Sequence, residues 1–215
     1  MVEGAAEAIV ACCRRLDRLR LNAGADGNVS IRLGPDRVLV TPSGGLKANL
    51  VPGDLVEVDF DGRRVAGSRD PTSELALHLS IMSRRPEVGA VVHAHPPTAL
   101  GFCLAGQPID SGLLPELAVV VGDVGTVPFV MPGSQELADQ IGLVMSEHDV
   151  CLLDHHGAVA VGHTLEEAQI RLETLEHAAK VILAARLLGG IKPLSSGDRR
   201  RLESLLTRGS RSEVQ

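Results

Sequence analysis

The chain has 215 residues, 44% of them apolar, and a formal net charge of −6. That length and apolar content suit one globular domain, or one domain with a tail, while the acidic balance and 1% aromatic content argue against a nucleic-acid partner, which wants basic surface and stacking rings. No apolar run approaches the roughly 20 residues of a membrane span, and the opening MVEGAAEAIVACCRRL is too charged for a signal peptide, so the expectation is a cytoplasmic protein without a membrane partner.

In chain order, residues 3–20 predict an amphipathic helix, with Ala6, Ile9, Cys13 and Leu16 on one stripe. Strand-like runs follow at Asn28–Arg32, Val38–Val40 and Leu55–Phe60, and the Asp61-Gly62 turn suggests a hairpin. Ser73–Arg85 reads as a helix opening on Thr72 or Ser73 as its N-cap. Gly89–His95 reads as a buried strand, stopped by Pro96 and Pro97 because proline cannot donate to a sheet ladder.

Further on, Thr98–Leu104 predicts a short helix, Leu117–Val121 a strand, Ser134–Met145 a helix, and Val150–Leu153 and Ala158–Val161 two more strands. Thr164-Leu165-Glu166-Glu167 has the form of a capping box. It opens a long helix whose stripe is Leu165, Ala168, Leu172, Leu175, Ala179 and Ile182, ended by Gly189-Gly190. Alternating strands and helices predict an α/β fold with both sheet faces covered, as one domain over residues 1–193 with a peripheral tail at 194–215. The cysteines, Cys12, Cys13, Cys103 and Cys151, form no C-x-x-C pair and read as small buried hydrophobes.

Side chains alternate along a strand, so His93 and His95 share one face at its open end. His155-His156-Gly157 sits between two apolar runs, where a loop would again bring imidazole to an edge. Three neutral imidazoles with an open position make a Lewis-acid zinc site; spacing alone leaves open whether these are ligands or ordinary strand-end histidines. Pro71-Thr72-Ser73-Glu74 offers a carboxylate for proton transfer, or merely helix capping and dipole compensation. Gly27-Asn28-Val29-Ser30 and Thr41-Pro42-Ser43-Gly44-Gly45 read either as hairpin turns or as backbone cradles for a phosphate; Lys47, beside the second, adds charge there or is simply solvated.

Taken in order, GNVS, TPSGG, PTSE, HAHPP and DHHG resemble the class II aldolase/adducin family, over about residues 5–190. The resemblance implies a three-layer α/β/α fold around a mixed, mostly antiparallel sheet, in a cyclic homotetramer. It also implies Zn²⁺, or another divalent ion, on His93, His95 and His156, with His155 at a position often Asn in relatives and not counted as a ligand. Glu74 matches the catalytic acid/base, and Gly27, Asn28, Ser43, Gly44, Thr72 and Ser73 match the substrate-phosphate cradle. The implied activity is a metal-dependent aldehyde-lyase cleaving a ketose 1-phosphate, of fuculose or 5-deoxyribulose type, to dihydroxyacetone phosphate and an aldehyde. Methylthioribulose-phosphate dehydratase, epimerase or decarboxylase chemistry on the same scaffold, or a non-catalytic adducin-like module, are the alternatives. Fuculose-type aldolases use tyrosines near the aldehyde, and this chain has no Tyr; Phe129 stands where Tyr is usual. Glu116 is the candidate replacement for the aldehyde-side proton donor. The missing hydroxyls, with Leu113, Leu114 and Phe129, point to a less polar aldehyde.

Overall fold

The computed structural model describes residues 2–192 and 194–209; the Pro193 boundary and residues 210–215 of the tail lie outside the described residues. Eight strands form one sheet: β1 (Asn28–Arg32), β2 (Val38–Val40), β3 (Val56–Val58), β4 (Arg64–Ala66), β5 (Ala90–Ala94), β6 (Val124–Val127), β7 (Val150–Leu153) and β8 (Gly157–Gly162). Their order is β4-β3-β2-β1-β5-β8-β7-β6, and only the β6–β7 pair is parallel. That pair needs a crossover, which α4 (Gln135–Val144) supplies. Thus the sheet is mixed and mostly antiparallel.

Helices cover both faces. α1 (Val2–Arg18), α3 (Pro97–Leu104) and α5 (Leu165–Leu187) share one core with Val29, Leu39, Val92, Ala94, Ala158 and Ala160. α2 (Leu75–Arg84) and α4 share the other with Val38, Val40, Val91, Val159 and Val161. The split follows strand alternation: neighbours Val91 and Val92 serve opposite layers. Three layers result, with β5 and β8 central and buried on both faces. In α5 the expected stripe is buried from Ala168 to Ile182, with Leu165 only partly covered. All four cysteines are free thiols, three of them buried. Among the described residues no helix is long and apolar enough to cross a membrane.

Three local expectations are corrected. Leu117–Val121 is a wide helical turn rather than a strand. Pro115 precedes it, Gly122 N donates to Leu117 O at 3.0 Å, and Gly122, at φ 74°, ends it. Leu117, Ala118 and Val121 are buried while Val119 is exposed, so the side chains follow a helical rather than a two-residue period. The strand of this region is β6, one turn later. At α2 neither Thr72 nor Ser73 is the N-cap; Glu74 holds that position, and Thr72 Oγ1 accepts from the Glu74 N–H at 3.4 Å. At α5 Thr164 Oγ1 accepts from Glu167 N–H at 3.2 Å, but the Glu167 carboxylate reaches the N–H of His163 (2.7 Å), one residue before the cap.

Two further elements had no sequence expectation. Residues Ser196–Gly209 form a helix, α6, beside the 117–121 turn. Glu176 of α5, 2% exposed, accepts from the N–H groups of Thr98 (3.0 Å) and Ala99 (3.0 Å), capping α3 where Pro96 has no side-chain donor or acceptor to offer.

Candidate metal centre

The sheet register delivers the first two histidines. β1 and β8 flank β5 so that Asn28 lies opposite His93 and His93 opposite Val159. His93 is fully buried, and its Nδ1–H donates to the carbonyl of Ala158 at 3.0 Å. That bond assigns the tautomer and leaves Nε2 as a lone pair aimed along the strand end. His95 follows on the same face; its backbone N–H donates to Leu21 O at 2.8 Å, and its Nδ1 lies 3.4 Å from Oδ2 of Asp26. The third arrives on the tight Asp154-His155-His156 turn between β7 and β8, closed by His156 N donating to Leu153 O at 3.0 Å. His155 takes φ 56°, a conformation imidazole-bearing residues tolerate better than most, and its side chain points outward, 58% exposed. Gly157 then lets the rings close: a Cβ there would stand 2.6 Å from Ala94 O, 2.8 Å from His95 Cδ2 and 3.0 Å from His93 Cε1.

The ring centroids of His93, His95 and His156 are 4.8–5.3 Å apart, and one nitrogen from each falls within 4.8 Å of the others. His95 Nε2 is 3.2 Å from His93 Nε2. Glu74 lies against the group, with Oε2 3.2 Å from His93 Nε2 and Oε1 3.3 Å from His156 Nε2. Burial alone would raise the Glu74 carboxyl, but its polar neighbours, His93 first, then the Asn28 amide and His156, hold it well below the usual carboxylate range. Burial, then the neighbouring His93, pushes His95 down to about 4 and lowers His156 too. His95 and His156 are thus both held toward the neutral, ligand form beside an ionised carboxylate.

These residues fit a divalent cation. His93 Nε2 lies at hydrogen-bond distance from both His95 Nε2 and Glu74 Oε2, with its lone pair toward them. Glu74 Oε1 is buried and makes no hydrogen bond, a cost of about 1–3 kcal/mol that a cation offsets, and His156 Nδ1 is likewise buried without a partner. Three imidazole nitrogens suit zinc or a neighbouring borderline divalent ion.

A buried relay holds the carboxylate. Asn28 Nδ2 donates to Glu74 Oε2 at 2.8 Å, while Asn28 Oδ1 accepts from His78 Nε2–H at 2.5 Å. His78 Nδ1 in turn accepts from Ser30 Oγ at 2.7 Å. His78 is fully buried on α2; burial, then its neighbour His93, pushes it down to about 3, so it stays neutral. Neither Ser30 nor His78 was singled out from sequence as part of the site. Their signal was a serine at an inward strand position and a histidine four residues after Glu74, one helical turn on.

A cleft of about 240 Å³ opens on this centre, and the two glycine-punctuated turns border it. Gly27, Asn28, Ser43, Gly44, Thr72 and Ser73 all line it, together with Glu74, His95 and His156. Gly27 sits at φ 75° with its α-carbon against Asn22, where a Cβ would come within 2.5 Å of the amide. Lys47 and Asp26 also line the cleft; Lys47 is 5% exposed rather than solvated. Glu116 is not brought there: it is exposed at the head of the 117–121 turn and does not line the cleft within one chain. Leu113 and Leu114 are likewise packed against the α1/α3/α5 core, and Phe129 is exposed with its ring 6.0 Å from that of His155.

Residues 7–183 match the family described as Class II Aldolase and Adducin N-terminal domain. The 5-methylthioribulose-1-phosphate/5-deoxyribulose-1-phosphate aldolase of Rhodospirillum rubrum is 37% identical over 160 residues, covering 74% of this chain and 72% of its own. The 3-oxo-tetronate 4-phosphate decarboxylase of Escherichia coli K12 is 35% identical over 188 residues, covering 84% and 86%. Among solved structures, the L-fuculose-1-phosphate aldolase of Thermus thermophilus superposes with a TM-score of 0.74 at 31% identity, over 87% of this chain and 97% of that one.

Proposed function

Because the chain belongs to the class II aldolase and adducin family, we propose that it is a divalent-metal-dependent aldehyde-lyase that splits a ketose 1-phosphate into dihydroxyacetone phosphate and an aldehyde. The observation that carries the reading is the convergence of His93, His95 and His156 on one point beside the Glu74 carboxylate, in a cleft bordered by the two turns. His93, His95 and His156 would hold the ion, Zn²⁺ by donor type. When bound it supplies Lewis-acid stabilisation of the negative charge that builds on the substrate oxygens as the carbon–carbon bond breaks.

The protein's own groups do the rest. Ser43, Gly44, Thr72 and Ser73 bind the phosphate and fix the substrate's register. Glu74, ionised at rest and held by Asn28, takes the proton from the dihydroxyacetone phosphate carbon in the condensation direction; in cleavage it acts in its protonated form and gives that proton to the carbon, while the proton of the substrate hydroxyl leaves at the aldehyde end as the carbon–carbon bond breaks. Water is kept from one side by the buried relay behind Asn28. The aldehyde end has no tyrosine hydroxyl, which favours a less polar aldehyde of deoxy or methylthio type; the R. rubrum relative's name supports that choice. Glu116 could act there only from a neighbouring subunit, in the homotetramer the reading implies.

The second reading is decarboxylation of a 3-oxo acid phosphate, supported by the E. coli relative. It uses the same centre, with carbon dioxide rather than an aldehyde leaving. Incubating the metal-loaded protein with 5-deoxyribulose 1-phosphate, 5-methylthioribulose 1-phosphate, fuculose 1-phosphate and 3-oxo-tetronate 4-phosphate, and identifying the fragments, separates them. Dihydroxyacetone phosphate with an aldehyde supports the proposal; carbon dioxide release alone overturns it in favour of the second.

A further inference from the structure

We propose that Lys47 is the cation that receives the substrate's phosphate, its ammonium buried beside the Ser43–Gly45 turn with, among the described residues, no carboxylate in contact with it. This inference rests on the sugar-phosphate reading above and names a residue that the reading did not need. The geometry is specific. Lys47 follows the turn Thr41-Pro42-Ser43-Gly44-Gly45 by two residues and lies in the short helical turn Lys47–Asn49. Its Nζ donates to the carbonyls of Gly44 at 3.1 Å and Gly45 at 3.5 Å, and the residue lines the same cleft as Ser43, Thr72 and Ser73.

What the ammonium lacks is an ion-pair partner in contact with it. Among the described residues no carboxylate pairs with it. The charge of Asp26, which shares the cleft and lies 3.4 Å from His95, reaches Lys47 without forming an ion pair with it, and Arg69, a second cation nearby, is committed to Asp54 at 3.5 Å and to Ser43 O at 3.3 Å. The thiol of Cys13 adjoins Lys47 but is neutral, since burial pushes it up to about 12. A buried, unpaired charge is unfavourable, and burial accordingly lowers the pKa of Lys47 itself. A phosphate arriving in the cleft removes that penalty. An ammonium has three donors; two go to the turn carbonyls, so one remains for a phosphate oxygen. Lysine serves here as a point charge, with the hydroxyls and amides of the two turns supplying direction.

The competing view is that Lys47 only staples the turn through Gly44 and Gly45. Glutamine separates the two, because it keeps a donor for those carbonyls and drops the charge. The experiment is calorimetric titration of inorganic phosphate into the metal-loaded protein, for the parent, Lys47→Gln and Lys47→Met, with thermal melts alongside. The proposal expects phosphate affinity at least about tenfold weaker in both variants, with Lys47→Gln melting close to the parent. Parent-like phosphate affinity in Lys47→Gln overturns it, whether the anion then sits at the metal or on the turn amides alone. Because binding is read without turnover, a protein that takes phosphate through Lys47 but cleaves no ketose 1-phosphate sinks the aldolase reading and leaves this one. Cleavage with unchanged Lys47→Gln affinity does the reverse.

Discussion

The side-chain amide of Asn28 donates to Oε2 of Glu74 at 2.8 Å, joining the first residue of β1 to the residue that opens α2. Its orientation is decided from behind, since Oδ1 is occupied by His78 Nε2–H. The amide therefore cannot flip, and the Glu74 carboxylate always meets a donor.

Asn28→Asp keeps the shape and reverses that logic. Two carboxylates then face each other at hydrogen-bond distance, and one takes up a proton. The expected result is a loss of roughly 100-fold in kcat/KM at neutral pH, the size of a general-base contribution, with the acid limb of the pH–rate profile moved upward and metal content unchanged. Steady-state kinetics from pH 5 to 9 with metal analysis checks it.

His78 makes stability depend on pH with a definite sign. Its imidazole is pushed down to about 3 in the folded protein, from an ordinary value near 6.5, by burial and by His93. Below 6.5 the unfolded chain gains a proton that the folded one refuses, so stability contributed by this residue is full above 6.5 and falls as pH drops toward 3. Between pH 6.5 and 5 the loss is about 2 kcal/mol. Denaturant unfolding at both pH values should show the parent losing about that much more than His78→Gln.

Much of this was legible in the residues. Strand alternation put His93 and His95 on one face, and the α5 stripe and its Thr164 cap were plain in the 3.6-residue period and the spacing of Thr164 to Glu167. The third histidine is another matter: the His155-His156 pair between two apolar runs offered a candidate, but His156 joins the others through the β5–β8 pairing, which no local pattern encodes, and the family resemblance chose it over His155. The Asn28–Glu74–His78 contacts depend on the β1–β5 register and on where α2 begins, and Leu117–Val121 misled because a short run of apolar, β-branched residues fits a strand and a buried helical turn equally. Glu116 was reached through the missing tyrosine alone, and the fold of one chain leaves it outside the cleft.

Glu176 was invisible for the same reason as the relay, since its partners are backbone groups of another helix. Glu176→Ala leaves the buried N–H of Ala99 and the half-buried N–H of Thr98 without acceptors and Lys180, 3.2 Å away, without its partner. Unfolding by urea should show a loss of about 3 kcal/mol, from one to three per orphaned group; a change under half a kilocalorie would mean α3 is held by its apolar face alone.

Gly157→Ala should loosen the metal site without touching a ligand. The new methyl would meet Ala94 O, His95 and His93 within 3.0 Å, so the rings must part. Competition with a chromophoric chelator is expected to show divalent-ion affinity at least about tenfold weaker, comparable to losing a supporting contact around a metal ligand.

The central claim is that His93, His95 and His156 share one cation beside Glu74. Its most direct test is the metal content of the purified protein, measured by mass spectrometry for the parent, His93→Ala, His156→Ala, His155→Ala and Glu74→Gln. The account predicts one divalent ion per chain in the parent, His155→Ala and Glu74→Gln, and its loss in His93→Ala and His156→Ala, with Glu74→Gln metal-bound yet without turnover. Full metal retention in His93→Ala and His156→Ala, or its loss in His155→Ala alone, would contradict it.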